Sequence, residues 1–365
     1  MNILRRLSLS RLLLLCGLVV AVGVSATALA SALGSGPTPP PKPLAVAVHE
    51  ALSGPSVEGV SATVQLTDHL LEGANLASGD GEASQLTSSP LLSGASGRLW
   101  IAKDGRVRLE LQSEKGDTQI LYDGHTVSLY DGSTNTLYRY KVPAHEEGAP
   151  AAEHHEPPTV AKIEEAISRL QRHANVSGAT PTDVAGHAAY TVRISPNEGG
   201  SLFGGAELSW DAVHGVPLRT AIYSSTSSSP VIELAATGIS YGPVEASVFE
   251  FQAPSNAKVE EVVLPDKHTA KHTGSSTQGG DHPKLTTHGD GPSTIAVLES
   301  KTRAGAKQSA PALPEGLQKV KVGSIEATEL PTELGTLLSF ERSGVRYLLA
   351  GAVGPAALEA LARGL

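Results

Sequence analysis

The sequence predicts an α+β fold in which one large antiparallel sheet carries helices on its apolar face and a small α+β module follows. Apolar and polar side chains alternate along residues 106–112, 190–194 and 206–210, as in strands with one buried face. Short turns rich in Gly and Asp separate about ten such strands and make neighbouring strands antiparallel. Residues 159–172 instead place apolar side chains three and four positions apart, the spacing of an amphipathic helix.

The first 34 residues are predicted to be either a signal peptide or an N-terminal transmembrane anchor. Arg5, Arg6 and Arg11 precede residues 12–33, which contain no charged residue. Small residues at 26–32 offer cleavage sites, but the stretch is also long enough to cross a bilayer. Either outcome makes the protein extracytoplasmic, secreted or anchored to the cytoplasmic membrane. Because the only cysteine is Cys16, the exported part contains no disulfide.

Composition divides the exported part into two folded units. Residues 35–43 are a linker rich in Pro and Gly, and residues 44–256 hold twelve of the fourteen aromatic residues. Residues 257–292 are predicted to be a disordered linker, because residues 267–292 are rich in Gly, Ser, Thr and His and have no aromatic residue. Residues 293–365 are then predicted to form the small α+β domain.

The remaining elements follow from local patterns. A helix is predicted over residues 44–52, before the first strand. In the second unit, strands are predicted at residues 294–298, 317–322, 337–340 and 345–349, giving three or four strands in all. A helix opens at Gly354 and Pro355 and buries Leu358, Leu361 and Ala362.

The composition and motifs argue against several classes of function. A net charge of -9 without any basic run argues against nucleic acid as a partner. The sequence has no Gly-x-Ser-x-Gly, His-Glu-x-x-His, phosphate-binding glycine loop or Cys-x-x-Cys, so neither an enzyme nor a cofactor is predicted. His268, His272, His282 and His288 lie in the flexible linker without a partnering cluster of Asp residues, so no metal site is predicted either.

Three stretches resemble the LolA-like superfamily of outer membrane lipoprotein carriers and lipoprotein-sorting proteins, and residues 317–365 resemble the C-terminal region of its exported actinobacterial members. The first is Gly-Arg-Leu-Trp at 97–100, followed by residues 118–130 with a turn at Asp123 and Gly124. The second runs from residue 184 to 192 and continues through residues 208–211 and 216–219. The third is Val-Phe-Glu-Phe at 248–251 with Pro254. The two-domain layout more distantly resembles the periplasmic RseB/MucB-like regulators.

The resemblance implies a large antiparallel, incomplete β-barrel whose open side is covered by a helical lid, with an apolar cavity for acyl chains between them. The carriers keep an arginine after the Trp strand that helps to hold the lid closed. This chain has Lys103 there, without a planar guanidinium, so the resemblance does not extend to that release mechanism. The candidate ligand-binding residues of the cavity and lid are Trp100, Leu109, Leu111, Tyr122, Leu129, Tyr190, Leu208, Trp210, Val160, Ile163, Ile167 and Lys103.

Two functions are compatible with this interpretation. One is a non-catalytic carrier or sorting protein that binds the acyl chains of lipids or lipoproteins. The other is an envelope regulator that senses a lipid or lipoprotein and contacts an anti-sigma factor or another membrane protein. The apolar strand residues could also be solid core. A cavity is favoured because one short helix and a dozen aromatic residues would not easily fill a wide curved sheet.

Overall fold

The computed structural model describes residues 36–72, 74, 76, 89–114, 116–142, 156–262, 284–301 and 313–365. The predicted signal or anchor segment therefore lies outside the described residues. Among the residues described, no helix is both long and apolar enough to span a membrane. The chain divides into two compact units, and the first is made of described residues between 36 and 70, 89 and 199, and 203 and 260.

The structure describes three helices in the first unit, and α1 and α3 confirm the two helices predicted at residues 44–52 and 159–172. The helices are α1 (Leu44–Ser53), the single turn α2 (Pro90–Ser93) and α3 (Val160–Leu170). Thr159 caps α3, with its hydroxyl accepting from the backbone N–H of Lys162. A 3₁₀ turn covers Ala246–Phe249.

Thirteen strands form the sheet of the first unit, more than the ten or so predicted. They are β1 (Gly59–Asp68), β2 (Ala95–Ala102), β3 (Val107–Ser113), β4 (Gly116–Tyr122), β5 (Thr126–Asp131), β6 (Thr136–Lys141), β7 (Ala174–Val176), β8 (Thr180–Val184), β9 (His187–Pro196), β10 (Phe203–Asp211), β11 (Pro217–Ser224), β12 (Pro230–Tyr241) and β13 (Lys258–Glu261).

The strand order is β13-β6-β5-β4-β3-β2-β1-β12-β11-β10-β9-β7, and β8 also pairs with β9. Two antiparallel meanders, β1 to β6 and β9 to β12, are therefore joined where β1 pairs with β12. This pairing contains an irregularity at Thr63 and Val64, opposite Gly238 and Ala236, so that Thr237 is an extra residue. The sheet is open, and the predicted α+β fold on a large antiparallel, incomplete β-barrel is confirmed.

Around β1 and β12, side chains of opposite character occupy the two faces of this sheet. Cross-strand pairing places Leu66 beside Leu234, and Ala62 beside both Ile239 and Leu99. These residues pack into one cluster, which defines the apolar face. Alternate residues such as Thr63 point the other way and define the polar face.

In its described residues, the second unit is a six-stranded antiparallel sheet with one helix, larger than the three or four strands predicted. Its strands are β14 (Lys284–His288), β15 (Ile295–Lys301), β16 (Gln318–Val322), β17 (Ile325–Thr332), β18 (Gly335–Arg342) and β19 (Val345–Gly351), in the order β14-β15-β19-β18-β17-β16. The helix α4 (Pro355–Gly364) buries Leu358 and Ala362, as predicted.

The described boundaries of the second unit differ from the predicted linker and domain limits. Strand β13 lies at the start of the predicted linker, and β14 lies within its last part. Residues 284–288 form a strand because their backbone pairs with β15 along its length. Residues 263–283 of the linker lie outside the described part. Leu71, Ala74 and Leu76, from the predicted first domain, pack against Leu317 and Leu330 in the second unit.

Candidate functional site

Helices α1 and α3 cover the apolar face over β9 and β10. Tyr190, Leu208 and Trp210 are at most 1% exposed there, and the Tyr190 and Trp210 ring centroids are 6.1 Å apart. Ile163 is buried in the same cluster, and Val160 and Ile167 pack against it. The Tyr190 hydroxyl donates to the carbonyl of Pro40 at 2.7 Å. Six of the twelve predicted ligand-binding residues therefore meet, packed against one another beneath the two helices.

The other half of the same face carries two rows of apolar side chains in register across five strands. The first row is Leu99, Leu109, Ile120, Leu129 and Tyr138, and the second is Ile101, Val107, Tyr122, Val127 and Tyr140. We call these ten residues the apolar rows. All ten are only half-buried, in contrast to the residues beneath α1 and α3.

The apolar rows have a covered end and an open remainder among the described residues. Leu91 of α2 packs on the cluster that contains Leu99, Leu109 and the 1% exposed Leu111. The Tyr122 hydroxyl is bonded locally to the carbonyl of Gly124 at 2.9 Å, which leaves its ring as apolar surface. Ten half-buried apolar side chains in one patch are typical of a binding surface rather than of ordinary solvated sheet.

Two predicted residues lie elsewhere. Trp100 is on the polar face, where it packs with Leu121 and Phe249 from the 3₁₀ turn. Lys103 lies in the exposed turn after β2 and pairs with Glu58 at 2.6 Å. Leu109, Leu111, Tyr122 and Leu129 of the predicted set remain on the apolar face with the rows. Sequence alternation alone could not separate the two faces, because both carry aromatic residues along β2 to β6.

A buried carboxylate, Asp211, organises a polar cluster that the sequence analysis missed. It accepts hydrogen bonds from the backbone N–H groups of Val213 and His214 at 2.8 and 2.7 Å, and from the Tyr241 hydroxyl at 2.8 Å. The Nδ1 atoms of His187 and His214 lie 3.3 and 3.2 Å from its two oxygens. Burial alone would raise the pKa of Asp211, but these hydrogen bonds bring it below its usual range.

A second charged cluster lies on the polar face of β9 to β12. Glu207 accepts from Arg193, Arg219 and Tyr223 at 3.1, 2.7 and 2.7 Å, and Arg219 also pairs with Glu233. Burial alone would raise the pKa of Glu207, but the bonds from Arg219 and Tyr223 and the charge of Arg193 lower it. Because each charge has a partner, this network is structural. No group of three or more His, Cys, Asp or Glu within the described residues is arranged to hold a metal ion.

Comparison with known proteins returns structures but no sequence family. No protein-family model and no curated protein matches the sequence. Similar solved structures include MucB in complex with MucA(peri), with a TM-score of 0.39 and 13% identity over 87% of this chain and 93% of that chain. MucB alone gives a TM-score of 0.38 and 14% identity over 87% and 94% of the two chains.

A domain assigned as an outer membrane lipoprotein-sorting protein, from Vibrio parahaemolyticus, is also similar. It gives a TM-score of 0.15 and 11% identity, over 84% of this chain and 89% of that one. Both groups of proteins that the sequence resembles, the lipoprotein-sorting proteins and the MucB-like proteins, therefore occur among the similar structures.

Proposed function

We propose that this protein is a non-catalytic, extracytoplasmic binding protein that holds the acyl chains of a lipid or lipoprotein against the apolar rows. The observation that carries the proposal is that ten apolar side chains, in register across β2 to β6, stay half-buried. The same face is packed solid under α1 and α3. The proposed ligand surface is thus the half of the sheet that α1 and α3 leave open, rather than the region beneath those helices.

The dimensions of the apolar rows suit an extended hydrocarbon chain. Five strands with spacings of about 4.8 Å give each row a length of about 19 Å. Each methylene moved out of water onto such a surface contributes about 0.8 kcal/mol. A lipid taken from a bilayer gains little of this, because its chains already lie in hydrocarbon. The protein therefore exchanges lipid between apolar surroundings and needs no charged anchor on this face.

Photo-crosslinking tests the location of the ligand directly. The protein, recovered from the envelope of expressing cells, is incubated with a diazirine-labelled fatty acid, irradiated and digested for mass spectrometry. We expect crosslinked peptides from β2 to β6. Native mass spectrometry of the same preparation shows whether lipid has co-purified.

Leu109→Gln and Leu129→Gln place amides in the middle of the first row and are expected to reduce crosslinking several-fold. Leu285→Gln is the matched control, because Leu285 is 66% exposed in the second unit. Crosslinks confined to other segments, or equal labelling of all three variants, would exclude the apolar rows as the ligand surface.

A regulatory role is the second candidate, supported by the edge of the second sheet. Strand β14 pairs only with β15 among the described strands, and its Leu285 is the most exposed of the large apolar side chains described. An unpaired strand edge can accept a strand from a partner protein. In a pull-down from envelope extract, loss of a membrane partner on Leu285→Gln but not on Leu109→Gln would support this role. Equal recovery with both variants would argue against it.

A further inference from the structure

Two adjoining clefts open on the polar face, opposite the apolar rows. Their volumes are about 470 and 430 Å³, and both are lined by Thr63 and Arg98. The first is also lined by Glu110 and Gln112, and the second by Trp100. Because they share two residues, they form one elongated depression, which we call the double cleft.

The double cleft follows from the irregular pairing of β1 with β12. The extra residue Thr237 bends β12 at this point, and its hydroxyl donates to that of Thr63 at 3.2 Å. Gly238, directly opposite Thr63, has no side chain to fill the space, and a Cβ atom there would lie 2.9 Å from Thr63 Oγ1. The floor of the cleft is therefore built by the fold and does not depend on a mobile loop.

The charges around the double cleft favour an anionic ligand. Arg98 is exposed and has no ion-pair partner in the described part of the chain. Its cross-strand neighbour Glu110 is instead paired with Arg108 at 2.5 Å. One guanidinium, with its planar set of donors, thus remains available to a carboxylate at the centre of the cleft.

The other lining groups favour a sugar chain over a peptide. Strands β12, β1, β2 and β3 are paired on both sides here, so a peptide could not add as a further strand. Recognition has to come from side chains, which are mainly hydroxyls and amides. The half-buried indole of Trp100 supplies an apolar ring surface at one end.

We propose that the double cleft binds an acidic saccharide, with Arg98 on a sugar carboxylate and a sugar ring against Trp100. This site is separate from the acyl-chain surface, because the two lie on opposite faces of the sheet. It would let the protein contact an acidic polysaccharide of the cell envelope while lipid occupies the other face.

Intrinsic fluorescence tests the proposal because the chain has two tryptophans, Trp100 at the cleft and Trp210 in the core. The full-length protein is titrated with trigalacturonate, with its neutral methyl ester, and with inorganic phosphate. We expect saturable quenching of Trp100 by trigalacturonate and binding at least about tenfold weaker for the ester, which cannot form the charged hydrogen bonds.

Arg98→Gln should weaken trigalacturonate binding by a similar factor, whereas Arg139→Gln, at an exposed arginine of β6, should leave it unchanged. Binding that is equal for the acid and its ester, or unaffected by Arg98→Gln, would overturn the role of Arg98. If phosphate binds as strongly as trigalacturonate, the double cleft is a general anion site and the assignment of a saccharide ligand is wrong. Absence of binding to all three probes would overturn the proposal as a whole.

Discussion

A buried carboxyl in the second unit should make that unit less stable as the pH rises. Glu329 on β17 is 4% exposed, and its Oε1 has no hydrogen-bond partner among the described residues. It lies opposite the fully buried Leu338 on the face covered by α4. Burial raises the pKa of Glu329, and the nearby charge of Glu359 on α4 raises it further.

The raised pKa of Glu329 determines how the stability of the second unit changes with pH. An acid whose pKa is raised by folding is fully protonated below its pKa in the unfolded chain, which is about 4.5 for Glu329. In that range the buried acid destabilises the folded state least. The second unit then loses stability as the pH rises through the pKa that Glu329 has in the folded state, because the buried carboxyl must ionise. Leaving one buried polar atom unpaired costs about 1–3 kcal/mol. Glu329→Leu should therefore stabilise the second unit by about 1–3 kcal/mol near neutral pH.

Hydrogen exchange followed by mass spectrometry measures this locally, in peptides from β17 and α4. Glu329→Gln keeps the shape of the side chain but cannot ionise. Between pH 4 and 8, protection of these peptides from exchange should therefore fall in the wild type but not in Glu329→Gln. Comparing the two proteins at each pH cancels the intrinsic pH dependence of exchange. If Glu329→Leu weakens protection, or if the wild type and Glu329→Gln respond alike to pH, Glu329 is not the unpaired buried acid described above.

Two further predictions concern the first unit. Because folding lowers the pKa values of Glu207 and Asp211, this unit should lose stability as the pH falls through those values, whereas the second unit loses stability as the pH rises. Glu207→Gln should reduce this loss in acid denaturation followed by Trp fluorescence. An acid denaturation curve unchanged by Glu207→Gln would contradict the prediction. Leu208→Ala removes a fully buried side chain beneath α1 and α3 and should cost about 2–5 kcal/mol in urea unfolding, whereas a cost below about 1 kcal/mol would mean that this region is loosely packed.

Local patterns predicted the fold class, the amphipathic helix α3 and the C-terminal helix α4. The stripe of Val160, Ile163 and Ile167 predicted α3 because spacing alone determines which face is buried. Strand β17 was missed because its buried residue Glu329 is charged and because Pro331, in the same strand, discourages strand assignment. A pattern of apolar residues cannot reveal a strand that buries a carboxyl.

The candidate site could be predicted only in part. Alternation identified Leu109 and Leu129 as facing inward, but it could not show that they stay half-buried while Leu208 is completely covered. That difference depends on where two short helices end in three dimensions. The Asp211 cluster was invisible because its members come from β9, the turn after β10 and the end of β12, which no local spacing connects.

The junction between β1 and β12 has a consequence for biogenesis. The partners Ser61 and Ser240 are 179 positions apart, so β1 cannot pair with β12 until most of the first unit has been synthesised. Contacts this distant make folding slow. Until β12 has been synthesised, the apolar face of β1 to β6 is open to neighbouring chains. Folding of newly made chains should accordingly depend on chaperones that shield this sheet until the junction forms.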